Sequence, residues 1–364
     1  MLQKGKMKIL PLVITFTLLL GISRCSENEP HKTTGLVGLS LQSNQNSAPG
    51  LEGYLEAVDY VTSKGVNLFG MAPEWTELEP AINAYSFQDI IINPLTLLDP
   101  DEIKFESYIL VLKMIDTNRK TVPADLMSNS FDDPVVINRF RSLVDGLSSL
   151  DHINRISHIL IGNEVDAYLV SNPVALNAFS TFYQQAISHI HQKMPWIKVG
   201  TIITFNSLVS NPVVFNTLTP TSDFICYTYY PTDDSNPNWQ MRTPSDVAED
   251  IAFMAEKAGN KSFAFTEIGY PSSTDNNSSE TLQEQFVVNM FDALRSYKDN
   301  GKLEFIYYHG LYDYPPDFCE TYGEAQGIDP VYLCGFMNTL GLNSYVTGQP
   351  KEAWTAFVKK LNDW

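Results

Sequence analysis

From residue 35 onward, short apolar stretches ending in polar or aromatic residues alternate with longer stretches whose apolar residues recur at helical spacing. Eight of the short stretches predict strands: LVGLSLQ (36–42), VNLFGMAPEW (66–75), SYILVLKMID (107–116), ISHILIGNE (156–164), IKVGTIITFN (197–206), DFICYTYYP (223–231), KSFAFTEIGYP (261–271) and LEFIYYHGLYDYP (303–315). Helices are predicted at 55–65, 135–150, 175–194, 244–259, 281–299 and 350–364, with a short helical patch near 210–218. Two of them carry plain boundary signals. The helix at 244–259 starts on Pro244-Ser245-Asp246 and stops on Gly259, and the last one has Pro350 at its start. Between the second and third strands the helical signal is weak.

Strands that alternate with helices imply a parallel sheet. Eight such units in about 330 residues predict an α/β fold of the closed (β/α)8 TIM barrel type, a single catalytic domain over residues 35–364. An open doubly wound sheet would carry a glycine-rich phosphate turn after an early strand, and none is present.

The N-terminus departs from this rhythm. Lys4, Lys6 and Lys8 precede the apolar run ILPLVITFTLLLGI (9–22), which is shorter than the roughly 20 residues that span a bilayer. Residues 1–24 therefore read as an export signal. Cys25 follows at once and resembles the lipidated cysteine of a bacterial lipoprotein, although Arg24 stands where that signal prefers a small residue. Residues 25–34 read as a polar tether. The expected location is the cell envelope, with a membrane contact only through that anchor, or secretion if the cysteine is not lipidated.

Export changes the reading of the remaining cysteines, because disulfides persist outside the cytosol. Cys319 and Cys334 bracket a loop rich in Gly, Tyr and Asp and are expected to pair, whereas Cys226 lies inside an apolar run and reads as a small buried hydrophobe. The net charge of −18 becomes −22 once the basic leader is set aside. So acidic a body repels nucleic acid, and an uncharged ligand is the class it tolerates best. A monomer is expected.

Barrel active sites are built at the C-terminal ends of the strands. Strand four ends Gly162-Asn163-Glu164, and strand seven ends Thr266-Glu267-Ile268-Gly269. Alternation along strand seven predicts that Phe263, Phe265 and Glu267 share one face, with the carboxyl at the edge of an apolar layer where desolvation raises its pKa. Two carboxyls facing each other across a barrel mouth is the arrangement that glycoside hydrolysis needs.

The runs GNEVDAYL and TEIGYPSS are similar to those of clan A retaining glycoside hydrolases, most of all arabinogalactan endo-β-1,4-galactanases and plant-type endo-β-1,3-glucanases. The resemblance covers almost the whole chain after the leader, as a series of strand-end motifs. It implies Glu164 as acid/base, Glu267 as nucleophile and Asn163 as partner of the sugar 2-hydroxyl. It also implies a tyrosine at the end of strand six that holds the nucleophile: Tyr230, directly before Pro231, is the first choice and Tyr229 the second. The segment WTELEPAINAYSF (75–87) resembles the clan's segment after strand two, so Trp75 is a candidate sugar platform, as is Trp239 in the loop after strand six. Two departures stand out. Strand two lacks the arginine many members carry near the nucleophile, and Tyr308 and His309 stand where many have tryptophan. His309 and Asp313 are further candidates for substrate contact. The implied partner is a polysaccharide or oligosaccharide, and no cofactor is expected.

Other chemistries have weaker signals. His189 and His191 lie two apart on a helix and do not share a face, and there is no HExxH or Cys-His zinc spacing. No GxSxG elbow marks a serine nucleophile. A barrel aldolase would need a strand-end lysine, for which only Lys113 is placed. The remaining alternative is a catalytically silent carbohydrate-binding surface lipoprotein on the same barrel, whose mark would be a missing glutamate.

Overall fold

The computed structural model describes residues 35–97, 104–233, 239–326 and 330–364; the leader, Cys25 and the tether lie outside them. The barrel strands are β1 (Leu36–Leu39), β2 (Leu68–Met71), β3 (Ser107–Asp116), β4 (Ile156–Asn163), β5 in two pieces (Lys198–Gly200 and Ile202–Thr204), β6 (Ile225–Tyr229), β7 (Phe263–Ile268) and β8 (Leu303–Tyr308). Each pairs in parallel with the next, and β1 closes the ring on β8 through Leu36↔Phe305 to Leu39↔Tyr308. The result is the eight-stranded (β/α)8 barrel that the alternating pattern implies.

The first piece of β5 pairs with β4 and the second with β6. Thr201 sits between them, and its hydroxyl donates to the Ile161 carbonyl at 2.8 Å, so a side chain bonds where the ladder is interrupted. Leu36, Leu68, Ile109, Val111, Leu160, Ile202, Cys226, Ala264 and Phe305, with Phe224 just before β6, form an apolar cluster separate from the larger core under the helices. Residues drawn from every strand of the ring meet only in the barrel interior, which is thus a packed core and not a pore. Cys226 is a free thiol within it.

The surrounding helices form where capping and apolar periodicity agree. Helix Pro134–Ser148 begins with Pro134 in its first turn, and the Asp133 carboxylate accepts from the Val135 N–H. Helix Pro173–Lys193 buries Phe179, Phe182, Tyr183 and Ile187. Helix Glu280–Asp299 is capped by Ser279, and the closing helix Glu352–Asn362 packs against it through Phe357 on Phe291. Between β2 and β3, where the periodicity is weak, the described residues form short segments at Trp75–Leu78, Gln88–Ile92 and Asn93–Leu97. After β8 it forms two helices, Pro316–Gln326 and Pro330–Met337, joined by the Cys319–Cys334 disulfide with a Cα–Cα separation of 5.1 Å. No helix among the described residues is long and apolar enough to cross a membrane.

Candidate active site

The end of β4 is shaped by two left-handed residues. Gly162 has φ +83°, and a Cβ there would lie 2.3 Å from Val165 Cγ1, so only glycine fits. Glu164 itself has φ +44°, an uncommon conformation for a residue with a side chain and one found mostly at functional sites. The turn brings Asn163 and Glu164 together at the barrel mouth, although their neighbours in the strand alternate between its faces. Both oxygens of Glu164 are held: Thr117 Oγ1 donates to Oε2 at 3.0 Å, and Thr228 Oγ1 donates to Oε1 at 2.8 Å. Neither threonine has a sequence signal, and Thr117 is also left-handed, at φ +54°.

Glu267 reaches the same mouth by a different device, and here strict alternation misleads. Phe263 and Phe265 belong to the core under the helices, with Phe263 packed on Tyr297, while Ala264 faces the barrel interior. The register with β6 runs Tyr227↔Phe265 and then Thr228↔Glu267, which leaves Thr266 as an extra residue. This bulge rotates Glu267 away from the face of the two phenylalanines and into the mouth. Thr228, paired with Glu267 and bonded to Glu164, links the two carboxyls.

Tyr230 donates its hydroxyl to Glu267 Oε2 at 2.9 Å. Tyr229 does not share this role. As the preceding residue it points to the other face of the sheet, where its hydroxyl donates to Asp250 at 2.6 Å and its ring packs on Phe286. Asn163 donates through Nδ2 to Asp116 Oδ1 at 3.1 Å, and Lys113 Nζ lies 3.1 Å from Asp116 Oδ2. Lys113, the strand-end lysine that an aldolase would need, is therefore in an ion pair. His309 places Nδ1 3.9 Å from Glu267 Oε2, and its Nε2 is 2.6 Å from the Tyr314 hydroxyl. Burial pushes its pKa down to about 4, so the ring is neutral. When Tyr314 donates to Nε2, the ring N–H faces Glu267.

Two hollows meet at this pair. A cleft of about 580 Å³ has Glu164, Thr117, Asp166 and Thr228 on its inner wall and Trp239 and Phe336 on its outer wall. A smaller hollow of about 200 Å³ is lined by Glu267, Asn163, Lys113 and His309 and reaches down to Ile109 and Val111. Trp239 packs edge-on to Phe336, which in turn packs on Tyr230. Phe336 lies two residues after Cys334, so the disulfide-linked helices carry one wall of the cleft.

Two expected contacts lie elsewhere. Trp75 is fully buried, packed between Phe140 and Phe182 with its indole N–H donating to Glu79, so it supports the barrel and offers no platform to a sugar. Asp313 is buried in an ion pair with Lys351 and accepts from the Gly341 N–H, which fixes the loop after β8. The paired histidines serve the surface: His189 meets Asp145 and His191 meets Asp223.

The carboxyls are electrostatically unequal. Burial first, then the charges of Glu267 and Asp166, push Glu164 up to about 8. Burial also pushes Glu267 up, to about 7, but the Tyr230 hydroxyl and the Lys113 ammonium pull it back. About a quarter of the Glu267 side chain remains exposed (26%), so water moderates the desolvation there.

No family model matches the chain, and no curated protein does. Solved structures do resemble it. A GH5_18 from Bifidobacterium longum subsp. longum, in complex with Manβ1-4GlcNAc, superposes with a TM-score of 0.66 at 12% identity, over 91% of this chain and 78% of that one. The exo-β-1,4-mannosidase Op5Man5 from Opitutaceae bacterium strain TAV5 gives 0.64 at 14% identity, over 91% of this chain and 59% of the mannosidase. The β-glycosidase BGL167 gives 0.61 at 13% identity, over 92% and 97%. At such identities the likeness is one of fold: the chain shares the (β/α)8 barrel on which these glycosidases are built.

Proposed function

We propose that the protein is a retaining glycoside hydrolase of the clan A type, cleaving a β-linked glycan by double displacement. The observation that carries this reading is the carboxyl pair: Glu164 and Glu267 end β4 and β7 at one mouth, joined through Thr228, and burial raises both so that the pair can hold a proton near neutral pH. In the first step Glu164 gives its proton to the glycosidic oxygen as the bond to the anomeric carbon breaks. The Glu267 carboxylate attacks that carbon and forms a glycosyl ester. In the second step Glu164, now ionised, takes a proton from water, which displaces Glu267 and regenerates both groups. Tyr230 steadies the Glu267 carboxylate before attack and after release. Asn163, beside Glu267 in the smaller hollow, is suited to bond the 2-hydroxyl of the glycone.

The substrate reading rests on the walls. Thr204, Asn206, Ser207, Asn211 and Thr232 line the cleft with hydroxyls and amides, and no lysine or arginine is among its described lining residues. Such a surface suits the hydroxyls of an uncharged sugar, with Trp239 and Phe336 as apolar walls for ring faces. One structural relative is an exo-β-1,4-mannosidase and another was solved with Manβ1-4GlcNAc, which adds β-mannosides to the galactans and β-1,3-glucans that the motifs resemble. The leader and Cys25 support export, with a lipid anchor at the cell envelope.

The test is hydrolysis of a panel of β-mannosides, β-galactans and β-glucans by the wild type, Glu164→Gln and Glu267→Gln. The expected result is a loss of ~10²–10⁴-fold for Glu164→Gln and a larger one for Glu267→Gln. A 2-fluoroglycoside should label Glu267. Full activity in either variant, or a label elsewhere, overturns the assignment.

A further inference from the structure

Two residues that line the smaller hollow, Asn163 and Lys113, share a partner that neither the strand-end motifs nor the mechanism above uses. Asp116 ends β3, and its two carboxylate oxygens have different duties. Oδ1 accepts from Asn163 Nδ2 at 3.1 Å, and Oδ2 is 3.1 Å from Lys113 Nζ, with Arg119 at 3.5 Å on its outer side. Lys113 and Asp116 are three apart in a strand and would ordinarily face opposite ways. The register between β3 and β4 slips between Leu112↔Ile161 and Asp116↔Asn163, and this irregularity brings both side chains to the mouth. Lys113 is the only lysine or arginine among the described residues that line either hollow, and it shares its hollow with Glu267. Its side chain is 19% exposed and that of Asp116 18%, so the pair is largely shielded from solvent.

We propose that Asp116 is the positioning residue of the glycone side, holding the Asn163 amide with one oxygen and the Lys113 ammonium beside Glu267 with the other. The proposal rests on the glycosidase reading for what the two held groups do. Bonding one Asn163 N–H to Asp116 fixes which way the amide faces and leaves its second N–H for a sugar hydroxyl. Lys113 supplies the positive charge that strand two lacks. Asp116 keeps that charge from forming a closed ion pair with Glu267, which would blunt the nucleophile. The two charges act on Glu267 with opposite signs, Asp116 opposing its ionisation and Lys113 favouring it.

Those signs define the experiment. Asp116→Ala and Lys113→Met are compared with wild type, and Lys113→Arg serves as the charge-keeping control. The Glu267 carboxyl is titrated by carbon NMR on glutamate-labelled protein, assigned by its absence in Glu267→Gln. Lys113→Met should move that titration up by about one pH unit, Asp116→Ala should move it down, and Lys113→Arg should stay near wild type. Turnover is read on the nitrophenyl β-glycoside that wild type cleaves best and on its 2-deoxy counterpart. Asp116→Ala should lower kcat/KM by roughly 10–100-fold on the first and less than about threefold on the second, because only the first has the hydroxyl that Asn163 serves. Equal losses on both substrates, or no opposed shift of Glu267, overturn the proposal. If no glycoside is turned over but the opposed shifts are present, the glycosidase reading fails and the charge arrangement stands.

Discussion

Tyr229 and Tyr230 are adjacent and chemically identical, yet the pleat of the sheet sends one to Asp250 under the helices and the other to Glu267 in the mouth. Their removal should therefore separate stability from activity. Tyr230→Phe takes a donor from the Glu267 carboxylate, so the acid limb of kcat/KM should move up by about one pH unit while melting changes little. Tyr229→Phe should leave the pH profile in place and cost about 1–3 kcal/mol of stability, because buried Asp250 loses the hydroxyl that donates to it. A pH series on both variants with parallel thermal melts checks this. At this scale the strand ends point to Glu164, Glu267, Asn163 and, of the two tyrosines, first to Tyr230, and the structure brings these four side chains to one mouth. Thr117, Thr228 and Asp116 were not readable. A threonine gains meaning only from what lies across the barrel, and Asp116 depends on a slipped register that no local pattern encodes.

The elements show why two glutamates on different strands arrive at one place. β4 uses a left-handed glycine and β7 uses a bulge. Both devices break the period-two rule at the final residues, where a plain strand would have turned one carboxyl toward the helices. The strands and most helices were legible because their apolar periodicity is strong. The shared face expected for Phe263, Phe265 and Glu267 failed because the extra residue, Thr266, is visible only against a partner strand. Trp75 misled for a related reason: its motif marks a segment after β2, but the helical turn at 75–78 directs the indole inward to Phe140 and Phe182. Gly162→Ala tests the first device. The positive φ and the clash with Val165 should cost about 1–3 kcal/mol in chemical denaturation and should reduce kcat/KM far more than that loss of fold explains. A stable variant with unchanged kinetics would show that the turn is not needed to aim Glu164.

For the whole molecule, stability and catalysis pull against each other through pH. Glu164 has an ordinary value of 4.5 and sits at about 8 when folded. A carboxyl raised in this way contributes stability that is fully present below 4.5 and is lost as pH rises towards 8. At the barrel floor, His158 is buried against Phe224 and Phe305 with Glu304 at 3.4 Å, and burial lowers its pKa below 6.5. Its contribution is present above 6.5 and is lost as pH falls. The two terms oppose each other, so melting temperature should pass through a maximum at mildly acidic pH. Glu164→Gln should match wild type near pH 4 and exceed it by roughly 2–4 °C near pH 8, a gain of about 1 kcal/mol once partial solvent access is allowed for. Melts at the two pH values decide it, and an equal offset at both would mean that the carboxyl charge is not the cause.

The interruption of β5 at Thr201 opens the ring at one point, and the strands run as one continuous sheet from the first piece of β5 round through β1 and β8 to the second piece. Asn163, Glu164, Asp116 and Lys113 lie on the side of the opening that carries β3 and β4, and Thr228, Tyr230, Glu267 and His309 lie on the side that carries β6, β7 and β8. Glu164 and Glu267 thus stand on opposite sides of that opening, and the bond from Thr228 to Glu164 crosses it. The carboxyl pair in effect sits across the seam of one curled sheet. A glycan bound as proposed would clasp that seam shut, and the distance between the carboxyls is set by how tightly the ring is closed there.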